Sequence, residues 1–302
     1  MRAKKHQYVA TVKRRELGAE LRRIRERAGY LAANMAFILN WSHSSISRLE
    51  NGLLKARDER VAHYLARAKA TTDEFNRLVA LDRYPDDGYL ARPHPAGFPD
   101  GLLVVTMLDT ESASFTSFAP RDIPRHLHIE PHIRTVLKKL GYEDGPALDA
   151  AVQDRLTRQP STMREHGPFT FYVPETALLA DLAVTHEQLV HLSILSSLPR
   201  CHIRLVPAGA SMADLCTGFT LYRHDEHPPV LHLQLPTASL FLENAQDIAY
   251  YESQLERLAE LALSRRETRE WFTRKLADIE RRLEHDRALI PSCDDAPTEA
   301  RA

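Results

Sequence analysis

Residues 18–52 read GAELRRIRERAGYLAANMAFILNWSHSSISRLENG, and this stretch decides the N-terminal fold. Leu17, Leu21, Ile24 and Ala28 recur at helical spacing, so one stripe of a first helix is apolar. Its other faces carry Arg14, Arg15, Arg22, Arg23, Arg25 and Arg27. Gly29 predicts the helix end, because glycine tolerates positive φ just past a C-terminus. Met35, Ala36 and Leu39 give a second, short helix its buried side. Asn40 falls at a turn position where a left-handed backbone is expected, which asparagine tolerates. Ser42 is placed to cap a third helix. Ile46 and Leu49, three apart, pin that helix to the core, and His43, Ser44, Ser45, Ser47 and Arg48 point away.

Two apolar anchors beneath, with short polar groups and one long cation on top, is the construction of a recognition helix that enters a DNA major groove. Charge points the same way. The whole chain carries 40 basic and 41 acidic residues, but residues 1–70 hold 16 basic against 6 acidic, leaving 24 against 35 in the remainder. A basic N-terminal part supplies the contacts that release counterions from nucleic acid. An acidic remainder is repelled by DNA and is expected to face away from it.

The stretch resembles the N-terminal domain of Xre-type regulators, relatives of the lambdoid phage repressors. That resemblance implies roles position by position. His43, Ser44 and Arg48 match base-contacting positions, while Ser42, the backbone near Asn51, and Lys55 match phosphate-contacting ones. Arg25 and Glu50 match a buried salt bridge from the first helix to the end of the third. The chain departs from the pattern at Leu31 and Ala32, where the family has a polar cap and a phosphate-gripping Gln. It departs again at Leu53 and Leu54, where basic or polar residues are common.

A fourth helix is expected over Arg57 to Ala68, with Val61, Tyr64 and Leu65 inward. A fifth follows Thr72, with Phe75, Leu78 and Val79 inward. RYPDDGYLARPHPAGFPDG then carries four prolines and three glycines and reads as a stiff, non-helical linker. Beyond it, helices are expected over Leu102 to Ala113, Glu130 to Leu140, Pro146 to Gln159 and His186 to Leu198. FTFYV, CHIRLVP, FTLYRH, VLHLQL and SLFLEN read as strands. Ala245 to His285 reads as one long helical region with Ile248, Tyr251, Leu255, Leu258 and Ala262 on a face. The tail from Pro291 is polar, with disorder expected. The fold class is therefore multidomain: an all-α helix-turn-helix bundle, lambda-repressor-like by resemblance, followed by an α+β or α/β domain. The divisions are 11–82 for DNA binding, 83–101 for the linker, 102–288 for a regulatory or partner-binding domain and 289–302 for the tail.

This second part resembles the uncharacterised domain found C-terminal to Xre-type helices in actinobacterial regulators. Pro124-Arg125-His126-Leu127-His128 stands where that family has Pro-Gly-Leu-Leu-Gln. Arg155, Arg158-Gln159, Glu175, Ala177, Leu178, Gln188-Leu189, Val206-Pro207 and Gly218-Phe219-Thr220 follow in the family's order. The resemblance implies a regulatory role without an established chemistry, and pairing with a small protein partner.

No catalytic set emerges. His126, His128, Glu130 and His132 alternate as zinc ligands would on a strand. Pro131 and the helical pattern after it break that strand, so the cluster reads as polar surface or interface and no metal or cofactor is assigned. His186 and His191 are five apart, whereas the HExxH zinc motif needs four. YRHDEHPP reads as a polar hairpin turn. Cys201, Cys216 and Cys293 form no CxxC pair, which argues for reduced thiols, and Cys201 reads as a small buried hydrophobe. No run of 18 apolar residues exists, and the basic start lacks the apolar segment of a signal peptide, so neither a membrane span nor export is expected. The reading is a cytoplasmic, sequence-specific DNA-binding transcriptional regulator. Its partners are double-stranded DNA, a second copy of the chain reading half-sites ~34 Å apart, and a small-molecule effector or small protein. Two alternatives stand beside it: an antitoxin-like interaction module that binds DNA weakly alone, and a metal-dependent enzyme using the histidines at 126–132.

Overall fold

The computed structural model describes residues 10–55, 58–94, 102–165, 167–179, 182–212, 215 and 217–289, without the side chains of 158–165, 182–185 and 286–289. Cys216, Cys293, Arg57, the start of the chain and the tail from Pro291, for which the sequence sets expectations, lie outside these residues, as do the side chains of Arg158 and Gln159.

Five helices open the chain: α1 (Val12–Arg27), α2 (Ala32–Leu39), α3 (His43–Glu50), α4 (Asp58–Arg67) and α5 (Thr72–Arg83). Local chemistry sets their ends. Gly29 has φ +78° and Asn40 sits in the left-handed region at φ 54°, ψ 44°. Thr71 and Glu74 close a reciprocal capping box on α5. Leu17, Leu21, Ile24, Met35, Ala36, Leu39, Ile46, Leu49, Val61, Tyr64 and Leu65 are all buried. Gly18 lets α1 and α3 touch: a Cβ there would lie 2.8 Å from the Leu49 carbonyl oxygen and nearer still to that of Glu50.

The remainder is built on one seven-stranded mixed sheet. The strands are β1 (Tyr89–Pro93), β2 (Ser114–Phe118), β3 (Phe169–Pro174), β4 (Cys201–Val206), β5 (Phe219–Arg223), β6 (Val230–Gln234) and β7 (Ala238–Leu242), in the order β1-β7-β6-β5-β2-β3-β4. β2–β3 and β3–β4 are parallel, and the other pairs are antiparallel. The intervening helices are α6 (Leu103–Glu111), α7 (Glu130–Lys139), α8 (Pro146–Glu165), the single turn α9 (Glu175–Leu178) and α10 (Leu182–Ser197), followed by α11 (Ala245–Leu261) and α12 (Arg265–Leu289). Leu189, Leu192 and Phe272 pack with Phe115, Phe171 and Ile203 on one face of the sheet. Ile248 and Leu258 pack with Phe118, Tyr172 and Leu221 on the other. The expected class, a helical bundle followed by a mixed α and β domain, is what the chain adopts. Among the described residues no helix is long and apolar enough to cross a membrane.

Three expectations need correction. First, the stretch read as a linker contains β1, which pairs with β7 at the sheet edge. Proline is tolerated there, and Pro93 ends the strand. Second, the helical region expected over 245–285 breaks between α11 and α12. Ser264 accepts the Glu267 N–H (3.3 Å) while the Glu267 carboxylate accepts the Ser264 N–H (2.8 Å), a capping box that starts a new helix. Third, Arg15 does not face solvent. It is buried between the two parts of the chain, donating through Nη2 to Glu111 (2.9 Å), 3.0 Å from His224 Nε2.

That burial belongs to a continuous junction. The Val12 N–H at the start of α1 donates to the Glu243 carboxylate (2.9 Å), and Arg92 on β1 pairs with Glu16 on α1 (2.9 Å). Thr11 donates to Asp86 (2.5 Å). One hydrophobic cluster runs from Leu21 and Ile24 through Leu90 and Val104 to Phe115. The helical bundle is thus seated on the sheet domain.

Candidate nucleic-acid interface

The exposed side of α3 is built from its N-terminus. Ser42 accepts the Ser45 N–H (3.2 Å), satisfying one of the helix's orphan donors, and lies 3.0 Å from the Ser44 hydroxyl. His43, Ser44 and Arg48 are exposed, while Ile46 and Leu49 beneath them are 0% and 2% exposed. Arg48 Nη2 donates to the Leu53 carbonyl (3.3 Å), so its guanidinium rests over the loop after α3. By contrast, α2 begins at Leu31 with no side-chain cap, and Leu31 and Phe37 are 70% and 89% exposed.

Arg25 and Glu50 meet as a buried bridge, Nε to Oε1 at 2.7 Å and Nη2 to Oε2 at 2.8 Å. The Tyr64 hydroxyl donates to the same Oε1 (2.7 Å). Burial opposes the charge on Glu50, but the bonds from Arg25 and Tyr64 outweigh it and hold its carboxyl below the ordinary value.

Asn51 and Lys55, grouped with Ser42 in the sequence, have different surroundings. Asn51 Oδ1 accepts from Arg22 Nη2 (2.5 Å), and both residues line a cleft of about 750 Å³ with Arg15, Arg48 and Glu50. The far wall of that cleft is Glu111 and the acidic turn Asp225-Glu226-His227 between β5 and β6. Lys55 instead borders a small separate cavity with Lys13, Arg14, Asp58, Asp82 and Asp86. Arg22 was missed as a partner of Asn51, because only the α1–α3 packing brings the two together.

Behind the sheet's β2 end lies a second pocket of about 340 Å³, lined by Asp122, Arg125, His128, Arg155, Thr220 and His232 among others. The three histidines and Glu130 read as polar surface are not one: His126 and His128 are each 3% exposed, and of the three rings only those of His128 and His132 lie side by side, 4.3 Å between centroids. His126 lies 2.9 Å from Asp109 and Glu130 pairs with Arg134 (2.9 Å), whereas His132 lies 3.0 Å from Asp122. Asp122 comes from the loop after β2, which no local spacing connects to the histidines. Asp109 also accepts from Arg125 (2.5 Å) and Tyr222 (2.8 Å). Its burial opposes ionisation, but Arg125 and His126 prevail and hold the carboxyl well below the ordinary range. Gln188 fixes the segment carrying these groups, accepting the Ile129 N–H (3.1 Å) and donating to the Leu127 carbonyl (2.7 Å). Cys201 is buried, its thiol pushed up to about 12 by desolvation.

Residues 103–274, the helices and strands from α6 into α12, match a family described as a domain of unknown function, DUF5753. The chain belongs to that family. Residues 16–78 separately match a helix-turn-helix domain, which supports DNA as a partner of the α1–α5 bundle. No curated protein matches the chain. Among solved structures, the archaeal chromatin protein TrmBL2, whose structure is described as showing a novel mode of DNA binding, aligns at 10% identity with a TM-score of 0.29. The alignment covers 68% of this chain and 66% of that one, a likeness too slight to bear on function.

Proposed function

We propose that this protein is a sequence-specific, non-enzymatic transcriptional regulator of the Xre type. In this reading α3 enters the major groove, His43, Ser44 and Arg48 meet base edges, and Ser42, Lys55 and the backbone at Asn51 meet phosphates. The supporting observation is the capped, exposed polar face of α3 over buried Ile46 and Leu49, held from behind by the Arg25–Glu50 bridge. Phosphate contacts set register and base contacts set sequence. Two copies reading half-sites through a homodimer is the arrangement such a bundle uses.

Regulation in this account runs through the junction. An effector changes DNA affinity only if it binds one arrangement of the two parts better than the other. The cleft bounded by Arg48 and Asn51 on one side and Asp225 and Glu226 on the other is where such a change reaches the DNA-binding surface. The pocket of about 340 Å³ is a fitting place for a small ligand. The domain divisions then become functional ones: reading by residues 11–82, response by 102–288, and β1 within 83–101 tying them together.

The test is selection from a random duplex library by the full chain at fixed, near-physiological salt. Enrichment of a palindrome supports the dimeric reader. A second reading, an antitoxin-like module that binds a small protein, is favoured by the uncapped start of α2 and the exposed Leu31 and Phe37. It predicts no enrichment until that partner is added.

A further inference from the structure

Asp122, His128 and His132 bring one potential metal-binding atom each to within 4.8 Å of the others. The DNA-binding reading uses none of them. We propose that these three side chains bind a divalent transition-metal ion, zinc by first choice.

His128 is the key residue. Its Nε2 lies 2.6 Å from the Ile123 carbonyl oxygen, which can only accept, so the proton sits on Nε2 and Nδ1 keeps its lone pair. That Nδ1 is buried with no hydrogen-bond partner, in a residue only 3% exposed. A buried acceptor left unpaired is costly. An imidazole anchored through one N–H to a backbone carbonyl, with its other nitrogen bare, is oriented as metal-binding histidines are. The His132 ring lies beside it, tilted by 50° with 4.3 Å between centroids.

The other two ligands are close to the required spacing. His132 Nε2 and Asp122 Oδ1 lie 3.0 Å apart. Two ligands ~2.0–2.2 Å from a tetrahedral ion are ~3.4 Å apart. The Asp122 side chain is 45% exposed and that of His132 16%, so Asp122 in particular has room to swing toward an ion fixed by the buried His128. Two imidazoles and one carboxylate suit zinc and its neighbours, whereas calcium and magnesium take oxygen ligands. Three protein ligands leave a coordination position open. Asp122 and His128 both line the 340 Å³ pocket, together with Arg121, Arg125 and Arg155, so the open position faces basic surroundings and takes water or an anionic oxygen.

The experiment is titration of the full-length chain with Co2+ alone at neutral pH, followed by its visible d–d absorption, and then displacement by Zn2+. The expected result is one ion per chain with a tetrahedral or five-coordinate spectrum, bleached by zinc. Asp122→Ala and His132→Ala should each weaken binding at least ~10-fold, while His63→Ala, on the exposed side of α4, leaves it unchanged. Circular dichroism checks that the variants fold, and Asp122 is exposed enough for its variant to do so. Absence of the absorption band, or undiminished affinity in both folded ligand variants, would overturn the proposal. No DNA enters the assay, so its outcome is separate from that of the DNA-binding reading.

Discussion

Arg25 grips Glu50 with two parallel hydrogen bonds, 2.7 and 2.8 Å, across the contact between α1 and the end of α3. The Tyr64 hydroxyl, from α4, completes the carboxylate's shell at 2.7 Å. Three helices are thereby fastened to one carboxylate at the base of the proposed recognition helix. Removing one member of a buried pair strands the other. Glu50→Ala is expected to destabilise the fold by ~3–5 kcal/mol, read as a lower urea midpoint with unchanged slope. A loss under ~1 kcal/mol would mean that the bridge is solvated in solution.

Gly18 makes the same contact possible from the backbone side. A methyl group there meets the carbonyl oxygens of Leu49 and Glu50, neither of which is a flexible end. Gly18→Ala is expected to cost ~1–3 kcal/mol and to push α3 outward, despite alanine's better helix propensity. An unchanged or raised melting temperature would show that α1 and α3 pack less closely than this.

Two groups of carboxylates give stability opposite pH dependences. Asp109 and Glu50 have folded pKa values below the unfolded ones, so their contribution is full above pH ~4 and is lost as pH falls further. Glu243 and Glu16 are raised to about 7, chiefly by burial. Their contribution is full below pH ~4.3 and is lost as pH rises through about 7. Both lie at the seat of α1, Glu243 on the Val12 N–H and Glu16 beside Arg92. Glu243→Gln is therefore expected to flatten the decline in stability between pH 5 and 7.5, measured by denaturant unfolding. A profile as steep as the parent's would assign the slope elsewhere.

In the proposed reading, the acidic turn across the cleft from Arg48 and Asn51 lies in the path of the phosphate backbone. Asp225→Asn with Glu226→Gln is expected to tighten DNA binding roughly 2–10-fold at low salt, with the gain fading as salt screens it. Equal affinity at all salt concentrations would place the turn outside the path of the DNA.

The helical bundle was legible because its signals are local. The apolar spacing, Gly29, Asn40 and the Ser42 cap each act within one turn of chain, and the structure has each where the spacing placed it. β1 and β2 were not legible for the opposite reason. Tyr89–Pro93 buries only Leu90 and contains a proline, and Ser114–Phe118 has its two phenylalanines three apart, off the strand period of two, with hydroxyl residues around them, of which Ser117 pairs with Thr220 at 2.9 Å. Both are strands because of what lies beside them. The same limit hid Asp122 from the histidine cluster, Arg22 from Asn51, and the burial of Arg15. Each depends on a chain reversal that spacing does not encode.

If α3 reads DNA sequence, Arg48 is the side chain whose loss shows it. The measurement is equilibrium binding at one fixed salt concentration to the selected duplex and to a scrambled one, for the parent, Arg48→Ala and Lys55→Ala. Arg48→Ala is expected to lose ~1–3 kcal/mol on the selected duplex and little on the scrambled one. Lys55→Ala is expected to weaken both alike and to make the salt slope shallower by about one unit. Arg48→Ala binding the selected duplex as tightly as the parent would contradict the placement of α3 in the groove.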